Sequence, residues 1–130
     1  MPSSSFRKEL RELYDGELLG EAFFESLIQI FPDDTQQHKL ISALQLETET
    51  KARLRPYLVK ARIPLNDIGD ARKSGYELAT AFQGMTWESA MQKLVEVLNP
   101  AVDRYREIAT NAPAEYRDLA ASMLLSLIHI

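Results

Sequence analysis

Apolar residues recur at steps of three and four along most of the chain, and no stretch keeps the strict alternation of a strand. Residues 14–31 read YDGELLGEAFFESLIQIF. Stepping from Leu10 gives Tyr14, Glu17, Glu21, Phe24, Ile28 and Phe31, one face of a helix and the face that packs. A second stripe is Leu40, Leu44, Glu47, Lys51, Leu54 and Leu58; a third is Trp87, Met91, Leu94, Leu98, Val102, Tyr105 and Ile108.

Punctuation divides these stripes into elements. The serines at 3–5 cap a first helix running through Phe31, which Pro32 ends because the residue before proline avoids helical geometry. Asp33 and Gln36 have capping-box spacing for a second helix over 34–62, with Pro56 predicting a kink inside it. Residues 64–70 are a loop, and a shorter helix over 71–83 stops at Gly84. Thr86 caps a third long helix over 87–111, where Pro100 predicts another kink. Pro113 suits the first position of a last helix that buries Tyr116, Leu119, Ala120, Met123 and Leu124. The short turn near Asp33 makes the first two helices antiparallel neighbours. The expected architecture is all-α: an up-down four-helix bundle with one extra short helix between the second and third long ones.

The last six residues, LSLIHI at 125–130, lack the glycine, proline or basic turn that marks a helix stop. They resemble the in-frame translation of a transposon-type sequencing adapter. The expected domain is therefore 1–124, with 125–130 a non-native tail and the last helix truncated.

Composition narrows the chemistry. The 130 residues suit one domain, and 45% hydrophobic content supports a core. A net charge of −4 with acids and bases interspersed argues against nucleic acid as the main partner. There is no cysteine, so disulfides and thiolate metal sites are excluded, and only His38 and His129 supply imidazole. The N-terminus has no apolar signal core and no run is long enough to span a membrane, so a cytoplasmic, soluble chain is expected.

The candidate site is the trio of acids on the apolar stripes: Glu17, Glu21 and Glu47. An unpaired buried carboxylate is costly, and Glu17 and Glu21 stand four apart on one face. Glu17 and Glu47 are at similar distances from the turn at Asp33, so the hairpin brings them to one level. Two readings stay open. Either a divalent metal neutralises the acids, or Lys51, Arg53 or Arg55 does. Gly16 and Gly20 lie beside them, as tight packing or as ligand access. His38 stands about 13 Å along the helix from Glu47, too far to share a metal within that helix.

The stretch ELLGEAFFESL followed by LETETKARLRPYL resembles the ferritin-like superfamily, on its rubrerythrin-like side, over less than half of the chain. The resemblance implies iron as a di-iron centre, or manganese, and an oxidoreductase or peroxide-handling role. Glu17 or Glu21 matches the family's first-helix acid, and Glu47 the acid of its second-helix Glu-x-x-His motif. Thr50 stands where that motif has histidine, and Glu96, Asp103 and Glu107 lie off the third stripe, so the site implied is incomplete. The alternative is a non-catalytic bundle acting through protein contacts, as a homodimer along an exposed apolar seam.

Overall fold

The structure, a computed structural model, describes residues 3–129. Among them there are only helices: α1 (Ser4–Ile30), α2 (Asp34–Lys60), α3 (Ala71–Thr80), α4 (Trp87–Asn111) and α5 (Arg117–Ile128), with a 3-10 turn (Ala114–Tyr116) before the last. Ser3, Asp33 and Thr86 each accept a backbone N–H with the side chain, from Phe6, Gln36 and Ser89, and so start α1, α2 and α4. Pro56 and Pro100 both lie inside continuous helices.

Three boundaries differ from expectation. Helix α2 ends at Lys60, two residues early, because Arg62 turns into the left-handed region (φ 59°) while its own N–H and that of Ile63 bond back to Val59 and Leu58. Helix α3 ends at Thr80 and passes through turns to Gly84, which has φ 78°. Pro113 does not open α5: it is extended, the 3-10 turn follows, and α5 begins at Arg117.

Helices α1 and α2 pack as an antiparallel hairpin, and α3 lies on the outside of α1. Gly75 of α3 permits that contact, since a Cβ there would collide with the Leu19 carbonyl. Helix α4 runs antiparallel to α1. Trp87 meets Phe31 edge-on at 5.4 Å near one end, and Arg104 grips Glu12 through 2.6 and 2.9 Å hydrogen bonds near the other. Helix α5 starts where Tyr116 meets Phe6 and Tyr57, then runs back along α2 until Ser126 accepts from Arg53. The loop after α2 is tied to α1: Arg7 donates to the Ala61 carbonyl, Arg11 to those of Pro64 and Asn66, and Tyr14 to that of Leu65.

Two apolar cores result. One gathers Phe6, Leu10, Tyr14, Leu54, Leu58, Ile108 and Met123 around the starts of α1 and α5. The other gathers Phe23, Phe24, Leu27, Leu40, Phe82 and Leu94 around the α1–α2 turn. Ile28 and Leu44, expected in the core, are half-buried. Between the two cores α1 and α2 present no apolar pair; they present Glu17, Gly20, Glu21, Glu47 and Thr50.

Candidate functional site

Glu17 and Glu47 are 4% and 6% exposed, as buried as the leucines around them. Each holds its place through its helix stripe: Glu17 lies one turn after Leu13 and Tyr14, and Glu47 lies one turn after Ala43 and Leu44. Burial pushes the Glu17 pKa well above the ordinary carboxylate range, and the neighbouring Glu47 carboxyl adds to the rise. Burial likewise raises Glu47, against the influence of Glu17 and with the charge of Glu21 adding to it. Both carboxyls therefore hold a proton more strongly than exposed glutamates do.

Two glycines make the room. A Cβ on Gly20 would lie 2.5 Å from the Glu47 carboxyl carbon, and one on Gly16 would lie 2.5 Å from the Tyr105 hydroxyl oxygen. The small-residue stripe of α1 thus admits two polar side-chain ends, one from α2 and one from α4, on either side of Glu17. Tyr105, on the third apolar stripe, is a site residue that sequence reasoning assigned to the core. Its hydroxyl donates to Glu17 Oε1 at 3.4 Å, and burial between two acids raises its pKa well above that of a free phenol. Its position on an apolar stripe carries no sign of that contact.

Glu21 has a different fate. Its Oε1 lies 2.7 Å from Lys51 Nζ and 3.5 Å from Arg72 Nη1, and Thr48 donates to its Oε2 at 2.6 Å. Arg72 extends the network to Glu25 and Tyr76. Lys51, four residues after Glu47, is drawn across the hairpin to Glu21, so the two open readings divide: Glu21 has its base, and Glu17 with Glu47 has none. Arg53 reaches Ser126 and Thr50 instead.

Thr50, at the motif's histidine position, is 1% exposed and spends its hydroxyl on the Leu46 carbonyl at 2.7 Å. Leu46, Thr50, Ser126 and Leu127 line the space beside the pair. Both histidines are exposed, away from the acids, while Glu96, Asp103 and Glu107 stay at the surface.

Among the described residues, no group of three or more His, Cys, Asp or Glu side chains is disposed to hold a metal ion. The donors that converge are two carboxylates and a phenol. The four carboxylates and two imidazoles of a di-iron shell, which the ferritin-like resemblance implies, are not assembled from these residues. No family model matches the chain, and neither a curated protein nor a solved structure matches it. No helix of the described residues is long and apolar enough to cross a membrane.

Proposed function

We propose that this chain is a ferritin-like helical bundle, with α1, α2, α4 and α5 as its four helices and α3 an addition. Its Glu17–Glu47 pair takes a divalent metal, iron or manganese. One observation carries the reading: two buried carboxyls lie together with no base between them, while Glu21, a turn away, has Lys51. A purely structural acid in this layer would be expected to look like Glu21. Raised carboxyl pKa values in a cluster are a mark of function with a stated physical cause, namely desolvation without a countercharge. Hard carboxylate oxygens suit iron(II) and manganese(II), and binding must release the protons that these carboxyls hold. When bound, iron would supply one-electron and oxygen chemistry. The chain itself supplies negative charge, apolar walls and the Tyr105 hydroxyl.

The test is calorimetric titration with manganese(II), and anaerobically with iron(II), near pH 6 in two buffers of different ionisation enthalpy. Weak, saturable binding accompanied by proton release is expected, and Glu47→Gln should abolish both heat and proton release. Equal, negligible uptake by parent and variant would remove the metal reading. It would leave the alternative of a non-catalytic bundle acting through contacts, which the uncovered apolar face of α4 favours.

A further inference from the structure

The end of the bundle where α1 starts and α2 stops is basic. Residues 3–8 and 51–66 contain no aspartate or glutamate, and 51–66 carry five of the chain's 15 lysines and arginines. A shallow cavity of about 280 Å³ lies between the first turns of α1 and the loop after α2. Arg7, Lys8 and Arg11 line one side of it, and Ile63, Pro64 and Ile68 the other. Arg11 has Asp15 at 2.8 Å. Among the described residues, no carboxylate pairs with Arg7 or Lys8. Lys60 and Arg62, where α2 stops, are exposed and equally unpaired. The acids nearby are committed or stand aside. Glu9 and Glu12 turn to Arg104, Asp67 accepts from Ala71 and Arg72, and Asp70 is exposed at the start of α3. In a chain of net charge −4, positive charge is therefore concentrated at this end.

Exposed aliphatics stand among these cations. Ile68 is 62% exposed and Leu65 37%, and Val59, beside Lys60, is 60% exposed. The loop that carries Leu65 and Ile68 is pinned to α1, since Arg11 and Tyr14 bind the carbonyls of Pro64, Leu65 and Asn66. Bases alone would suit any anion, but a soluble anion gains nothing from an exposed isoleucine. An anionic bilayer gains from both features, with headgroups for the bases and the acyl boundary for the aliphatics.

We propose that this end of the bundle binds the surface of an anionic lipid membrane. Arg7, Lys8, Lys60 and Arg62 lie among the headgroups, and Leu65 and Ile68 reach the acyl boundary. The attachment is peripheral and separate from the acid pair, since Glu17 stands roughly 14 Å along α1 from Lys8.

The test is flotation of the whole chain with vesicles of phosphatidylcholine and phosphatidylserine, against phosphatidylcholine alone. Binding to the mixed vesicles only, weakened by salt, is expected. Lys8→Glu and Ile68→Ser, both at exposed positions, should each weaken it about tenfold. Lys39→Glu makes the same charge change near the other end of α2, also at an exposed position, and should leave binding unchanged. Unchanged thermal midpoints confirm that the variants fold. The chain has no cysteine, so a polarity-sensitive dye on Ile68→Cys reports entry into the bilayer as a blue shift. Three results would overturn the proposal. The first is no flotation with the mixed vesicles. The second is equal loss from Lys8→Glu and Lys39→Glu, which would reduce the effect to net charge. The third is binding that ignores Ile68→Ser, gives no dye shift and is abolished by inorganic phosphate, which would assign the bases to a soluble anion.

Discussion

Glu47 reaches the layer between the cores only because residue 20 has no side chain. Gly20→Ala would gain about 1 kcal/mol of helix propensity on its own, yet its Cβ would lie 2.5 Å from the Glu47 carboxyl carbon and force that buried side chain to shift. Overpacking of this kind costs about 1–3 kcal/mol, so a net loss of stability is expected in urea denaturation. The loss should vanish in the background Glu47→Ala, and equal losses in both backgrounds would show that the carboxyl is not the obstacle. The protons held by Glu17 and Glu47 make a second prediction. Their folded pKa values lie above the ordinary value of about 4.3, so the native state keeps protons that the unfolded chain has released. Their contribution is fully present below that value and is lost as pH rises through the folded values. Stability should therefore decline with rising pH, by up to about 1.4 kcal/mol per unit for each retained proton. Glu17→Gln should flatten the profile measured from acid to neutral pH; an unchanged slope would mean that Glu17 is not the proton's holder. At this scale the three acids were legible, because a carboxylate on an apolar stripe stands out. Which acid would win Lys51 was not, since the spacing Glu47 to Lys51 suits a pair within α2 and only the packed hairpin sets Glu21 closer. Tyr105 was invisible as a site residue because a phenol on an apolar stripe reads as core.

Three helix starts were read well, since Ser3, Asp33 and Thr86 cap α1, α2 and α4 through their own side chains, while α5 starts at Arg117 and not at the expected Pro113. Two ends were read less well: Arg62 takes the left-handed turn after α2, a position for which arginine gives no signal, and α3 stops at Thr80, before the turns that lead to Gly84. Helix α3 shows why its start is local chemistry rather than a simple cap. Asp70, next to the first turn, is left-handed (φ 56°) and makes no side-chain cap. Asp67 does that work from farther back, its carboxylate accepting from Ala71 N–H at 2.8 Å and Arg72 N–H at 3.0 Å. The Arg72 N–H first, and then that of Ala71, hold its pKa below the usual aspartate range. Asp67→Ala should cost about 1 kcal/mol and loosen amide protection in the first turn of α3, while Asp70→Ala should leave that turn protected. Because the folded pKa is lowered, the Asp67 contribution holds above the ordinary aspartate value and fades as pH falls through the folded one. Equal loss of protection in both variants would move the cap to Asp70.

At the scale of the whole molecule, the acids form a polar layer between two cores that would otherwise merge. Phe24, 1% exposed in the core by the α1–α2 turn, should cost about 3–5 kcal/mol when cut to alanine, as any well-packed phenylalanine does. The acids should behave in the opposite sense. Replacing buried polar or ionic groups by apolar side chains of similar volume is often neutral or stabilising by about 1–4 kcal/mol, because the desolvation cost disappears. Methionine matches glutamate in length and bends to irregular space, so the double change Glu17→Met with Glu47→Met keeps the carboxyl end of Glu47 replaced by a group that fits against Gly20. The expected result at neutral pH is a higher thermal midpoint, no slope of stability against pH from these positions, and no metal-linked proton release. Tyr105 loses its acceptor on Glu17, which limits the gain but does not reverse it. The same double change made at Glu21 with Lys51 serves as the control. There a charge pair with 2.7 Å geometry and a Thr48 hydrogen bond is removed together, and Arg72 and Thr48 are left without their shared partner, so little gain is expected. A lower midpoint for the Glu17 and Glu47 double variant would mean that the pair holds the two cores in register, and the layer would then be architecture rather than a site kept at the expense of stability.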